Sequence, residues 1–172
     1  ELVIADPVYS PTRNLTEKYL KDFKIQARFY DPNDLSTIKK NITNKTKLIY
    51  VENPGSNTFE FQDLGKILSI AKNKKIYTAI DNTWGTPYFL KPIKLGFDLS
   101  IVSGTKYYSG HSDVMGGSLA VSQRVFKRVL QAHNMTGLRL SPDDAYLIMR
   151  GLRTLDVRLD KHQDNTNRIA RF

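Results

Sequence analysis

The sequence predicts an α/β fold in which a mainly parallel β-sheet is wrapped by helices. Two observations carry that expectation. Short apolar runs alternate along the chain with segments of helical periodicity, and several of the runs end on polar or ionisable residues, where open α/β sheets gather their ligands. With 172 residues, 40% of them hydrophobic and 25% charged, the chain can bury the core of one domain.

Leu2–Ala5 (LVIA) reads as the first strand. A helix follows over about 12–23, with Leu15, Tyr19, Leu20 and Phe23 on one face. Ile25–Tyr30 (IQARFY) is the next strand, and Asp31, Asn33 and Asp34 suit the start of a short helix. Lys47–Glu52 (KLIYVE) reads as a buried strand. Beyond the turn residues NPGSN, Leu64, Ile67, Leu68 and Ala71 recur at helical spacing. Tyr77–Asp81, Leu99–Ser103 and Gly117–Val121 complete the strands. The pattern turns helical from Arg124, and Ser141, Pro142, Asp143 and Asp144 form a capping signal. From Gly151 onward the chain reads as one long exposed helix. The first strand has no helix before it and the last helix has no cap, so the sequence reads as a piece of something longer.

The net charge of +9 raises the possibility of a nucleic-acid partner, but the lysines are spread over several segments (Lys18, Lys39, Lys72, Lys75) instead of forming a basic stripe. No nucleic-acid partner is expected. No apolar run approaches the roughly 18–20 residues that cross a bilayer, and the N-terminus lacks the pattern of a signal peptide. The expectation is a soluble, cytoplasmic protein with no membrane partner. There are no cysteines, and the three histidines are scattered (His111, His133, His162), so no metal site is expected.

Three strand ends carry chemistry: Ser56 after VENPG, Asp81 with Asn82 and Thr83, and Ser103 with Thr105 and Lys106. Converging on one edge, a carboxylate, hydroxyls and a primary amine could hold a cationic aromatic ring and a phosphate while offering a nucleophile. Each residue alone has an ordinary explanation. Asp81 could be a turn former, Ser103 and Thr105 turn hydroxyls, Lys106 a surface lysine, Trp84 a packing anchor, and His111 with Asp113 a structural turn.

The blocks YVENPGSNTFEFQDL, AIDNTWGTPYFLKPIKLGFDLSIVSGTKYYSGHSDVMGGSLAV and RGLRTLDVRLDKHQ resemble, in order, those of the Cys/Met metabolism enzymes that use pyridoxal 5′-phosphate (PLP). The resemblance runs from DPVYSPTRNL onward. It implies that residues 1–150 form part of the large, three-layer PLP-binding domain of a fold-type I, aspartate aminotransferase-like enzyme, with its mainly parallel sheet, and that 151–172 start the long helix leading to a C-terminal domain. It implies Lys106 as the lysine bonded to PLP and the catalytic base, Asp81 at the pyridine nitrogen, Ser103 and Thr105 at the phosphate, and Thr83 as a further cofactor contact. Ser56 stands where most relatives have Asn, and PGS, DNTW and GHSD are more like the bacterial cystathionine β-lyases. The implied reaction is carbon–sulfur cleavage of cystathionine to homocysteine, pyruvate and ammonia, in transsulfuration and methionine biosynthesis. The alternatives are cystathionine γ-lyase, methionine γ-lyase or cystathionine γ-synthase activity, or a non-catalytic remnant. The family's phosphate loop, its ring-stacking Tyr and its carboxylate-binding Arg fall outside these residues, as do partner-subunit contacts of an implied homotetramer.

Overall fold

The computed structural model describes residues 1–172. β1 (Leu2–Ala5) leads into α1 (Ser10–Asn14), which continues through a π-helical turn (Leu15–Tyr19) into α2 (Leu20–Asp22). The π-turn shifts the periodicity, so Thr16 is the buried side chain of this segment, while Leu15, Tyr19 and Phe23 are 48%, 59% and 61% exposed. The apolar face expected there is therefore largely open, a correction that even periodicity could not reveal. β2 (Ala27–Tyr30) begins two residues later than expected, and α3 (Ser36–Asn41) follows the predicted turn, with Asp34 Oδ1 accepting the Ser36 N–H.

β3 (Leu48–Glu52) and α4 (Leu64–Lys74) come next; Asp63 caps α4 by accepting the Lys66 N–H at 2.9 Å. β4 (Tyr77–Asp81), two short helices, α5 (Thr86–Phe89) and α6 (Pro92–Leu95), and β5 (Leu99–Ser103) lead into a second π-turn, Gly104–Tyr108. β6 (Gly117–Val121), α7 (Phe126–Thr136), α8 (Pro142–Leu152) and α9 (Leu155–Ala170) complete the chain. Ser141 Oγ accepts the Asp144 N–H at 3.1 Å, so the expected cap starts α8. Gly151 belongs to α8, and α9 starts only after Thr154, burying Leu155 and Leu159 along an otherwise exposed length.

The sheet order is β2-β1-β3-β4-β5-β6, with every pair parallel except the antiparallel β5–β6 edge. Parallel strands are covered on their faces and therefore read as continuous apolar runs. Val3, Ala5, Ile49, Val51 and Ile80 from the sheet pack with Ile38, Ile67, Ala71 and Phe97 in one buried cluster. Tyr30 joins them and donates its hydroxyl to Gln62 Oε1 at 2.5 Å; Gln62 Nε2 in turn donates to the Glu52 carbonyl. This network fixes the loop after β3 from beneath. No helix is long and apolar enough to cross a membrane.

Candidate active site

The carboxyl ends of β3, β4 and β5 open into a cleft of about 1880 Å³. Ser56, Asp81, Thr83, Ser103, Thr105 and Lys106 all line it. The residues singled out at three separate strand ends are therefore brought to one place, because parallel strands put all their carboxyl ends on one edge.

Asp81 closes β4, and its Oδ1 accepts the Thr83 N–H at 2.9 Å. The turn role open to an aspartate here is thus real, and it uses one oxygen. Thr83 Oγ accepts the Ser103 N–H at 2.8 Å, which ties the end of β4 to the end of β5 and leaves the Thr83 hydroxyl proton free to donate. Thr105 Oγ accepts the Gly116 N–H at 3.0 Å and lies 3.3 Å from the Gly116 carbonyl, so this hydroxyl also braces the returning loop.

Lys106 sits inside the second π-turn with φ −91° and ψ −110°, outside helical geometry. The turn is held on several sides. The Gly110 N–H donates to the Lys106 carbonyl at 2.8 Å, and Ser109 Oγ donates to the Thr105 carbonyl at 3.1 Å. α8 presses Gly151 against it so closely that a Cβ there would lie 2.2 Å from the Tyr108 and Ser109 carbonyl oxygens. Arg158 of α9 donates to the Gly151 carbonyl at 2.8 Å and seats its guanidinium on Gly110, whose φ of +72° favours glycine. The lysine is exposed while the backbone beneath it is clamped.

Glu52, Tyr9, Arg158, Lys161 and His162 also line the cleft and were not singled out from the sequence. Glu52 was legible as a carboxylate on the last residue of a strand. The α9 residues carried no such signal, since nothing in a polar helical stretch says which side faces a ligand. His162 meets the Tyr107 ring edge-on at 5.8 Å between centroids. Trp84 lines the cleft and also packs edge-to-face on Phe59 at 5.2 Å, so packing and cleft contact coexist. His111 and Asp113 do not pair: the His111 ring is 2.6 Å from the Ser109 carbonyl, and Asp113 forms an ion pair with Arg150 at 2.9 Å.

Comparison with known proteins shows the family and the fold. The family model of the Cys/Met metabolism PLP-dependent enzymes matches residues 1–172. The chain is 34% identical to a cystathionine β-lyase of Coxiella burnetii, over 99% of the chain and 45% of that protein. It is 36% identical to an L-alanine/L-glutamate racemase of Wolbachia pipientis, over 99% of the chain and 42% of that protein. Among solved structures, cystathionine γ-lyase from Lactobacillus plantarum, complexed with L-serine, superimposes with a TM-score of 0.93 at 32% identity, over 98% of the chain and 45% of that structure. The fold is thus the fold-type I α/β architecture of the PLP-dependent lyases, and the chain spans less than half the length of these relatives. On the match of the whole chain and this shared architecture, the protein belongs to the Cys/Met metabolism family of PLP-dependent enzymes.

Proposed function

We propose that the whole protein is a PLP-dependent carbon–sulfur lyase in which Lys106, Asp81, Ser103, Thr105 and Thr83 hold the cofactor. The observation that carries this reading is the donor set of the cleft: one primary amine, one carboxylate with an oxygen to spare, and hydroxyls on the adjacent strand ends. That set fits PLP, which has an aldehyde, a basic ring nitrogen and a phosphate to satisfy.

When bound, PLP supplies an electron-accepting ring that stabilises negative charge at the substrate's α-carbon. Asp81 would keep a proton on the ring nitrogen by offering an anion to it. The hydroxyls of Ser103 and Thr105 would hold the phosphate, and Thr83 would add a third hydroxyl near the β4–β5 junction. Lys106 Nζ would bond the cofactor and serve as the general base for the substrate's α-proton. The clamped turn beneath Lys106 keeps that amine in position, and positioning of this kind is a large part of catalysis.

For substrate, the reading is cleavage of cystathionine to homocysteine, pyruvate and ammonia, supported by the PGS, DNTW and GHSD stretches and by the β-lyase relative. The γ-lyase likeness favours 2-oxobutyrate as the competing product. Borohydride reduction of the PLP-loaded whole protein, followed by peptide mapping, tests the site. The pyridoxyl group is expected on Lys106, and its appearance on another lysine would overturn the assignment. Lys106→Ala should lose both the label and turnover.

A further inference from the structure

Glu52 is a carboxylate that the proposed chemistry does not use. It is 4% exposed at the end of β3, directly across the β3–β4 pairing from Asp81. Its Oε2 accepts the Tyr9 N–H at 2.8 Å, and its Oε1 is hydrogen-bonded to the Ser56 hydroxyl. No lysine, arginine or histidine is ion-paired with it. The ionisable groups around it are Asp81 on β4, Tyr50 earlier on β3 and Tyr9 on the loop after β1, with Lys106 on the π-turn lining the same cleft.

The two loops that meet at Glu52 are rigidly joined. The Ser56 N–H donates to the Pro7 carbonyl at 2.8 Å, and a Cβ on Gly55 would lie 2.7 Å from Pro7 Cγ. Ser56 is thereby fixed at the cleft wall with its hydroxyl on Glu52. Only the direction of the hydrogen bond between them remains to be chosen, and a proton on Glu52 chooses it.

Resting on the PLP reading above, we propose that Glu52 is a positioning residue that sets the hydrogen-bonding sense of Ser56. With a proton on Oε1, Glu52 donates to Ser56 Oγ, and the Ser56 hydroxyl proton turns into the cleft as a donor to an anionic or carbonyl oxygen of the bound ligand. Without that proton, Ser56 donates to Glu52 and shows the cleft only lone pairs. The proton leaves to solvent through the cleft, and no other bond changes. The environment shifts this equilibrium toward the protonated form: burial pushes the Glu52 carboxyl up, the Ser56 and Tyr9 hydrogen bonds pull it down, and the neighbouring Asp81 charge pushes it up again, for a net rise.

The test compares PLP affinity of the whole protein, stripped of cofactor, in wild type, Ser56→Ala, Glu52→Gln and the double variant across pH. Below the Glu52 transition, wild type should bind PLP about three- to tenfold more tightly than Ser56→Ala, the range of one neutral hydrogen bond. Above it that ratio should fall to about one. In the Glu52→Gln background the amide can donate at every pH, so the effect of Ser56→Ala should be constant. A wild-type to Ser56→Ala ratio that does not change with pH overturns the proposal. If Glu52→Gln does not fold, infrared spectroscopy of wild type and Ser56→Ala decides instead: a protonated-carboxyl band whose loss with pH tracks the affinity ratio supports it, and absence of that band overturns it. Borohydride labelling at Lys106 separates the two levels, since labelling with a flat ratio sinks only the Glu52 proposal, whereas failure of labelling sinks the PLP site itself.

Discussion

Replacing Gly151 by alanine should damage the site without touching it. Inside an exposed helix, alanine is favoured over glycine by about 1 kcal/mol, so α8 considered alone would be stabilised. In the fold the added Cβ would lie 2.2 Å from both the Tyr108 and Ser109 carbonyl oxygens and 2.7 Å from the Ser109 carbonyl carbon. All three are backbone atoms, so no side chain can swing aside. Reaching even a 3.0 Å contact requires 0.8 Å of separation (3.0 − 2.2) between α8 and the π-turn. Overpacking of this kind costs about 1–3 kcal/mol, which outweighs the helix propensity. A domain of about 150–250 residues loses roughly 2–4 °C of Tm per kcal/mol, and a longer whole protein correspondingly less. The displaced turn carries Lys106, and a 1 Å misplacement can cost about a hundredfold in rate. The assays are thermal unfolding of the whole protein and the rate at which PLP becomes borohydride-fixable at Lys106. A Gly151→Ala protein that is as stable as wild type and labels at the same rate would refute the close-packing argument.

On the proposed PLP reading, Asp81→Asn should keep the fold, since an amide can still accept the Thr83 N–H, but slow turnover by orders of magnitude because the half-buried anion that would partner the ring nitrogen is gone; near-normal activity would contradict the role. Product analysis with cystathionine should give pyruvate faster than 2-oxobutyrate, and dominance of 2-oxobutyrate would move the assignment to a γ-lyase. Asp98→Ala should cost about 1–3 kcal/mol in unfolding experiments, because Asp98 is 4% exposed and its carboxylate accepts the Thr78 N–H at 3.0 Å, leaving that donor buried without a partner. Glu52→Gln should gain stability relative to wild type as pH rises. The raised folded-state pKa means that the unfolded chain gives up this proton first, so wild-type stability falls from the ordinary glutamate range upward until the folded group also ionises; a stability difference that is flat with pH would count against a raised Glu52.

The apolar runs and helical repeats determine the class of this fold by themselves. Tyr77–Asp81, Leu99–Ser103 and Gly117–Val121 are strands in the structure with the bounds read from the sequence, because buried parallel strands and short edge strands leave a local signature. The candidate site was legible for the same reason: Asp81, Thr83, Ser103, Thr105 and Lys106 stand at strand ends, and a parallel sheet must bring such ends together. The π-turn after β1 was not legible, since a shifted hydrogen bond keeps the residue pattern of an α-helix while rotating Leu15, Tyr19 and Phe23 to the surface. Nor could the sequence show that Gly151, 45 residues after Lys106 in the chain, presses on its turn, or that Arg158 locks Gly110. Glu52 gives the sharpest contrast. Its place on the final residue of a strand is written in the sequence, but its burial, its lack of a cation and its bond to Ser56 come from the pairing of β3 with β4 and from the loops after β1 and β3 closing on it. Local periodicity records which face a residue takes, whereas the protonation and contacts of a buried group depend on neighbours that only the tertiary fold supplies.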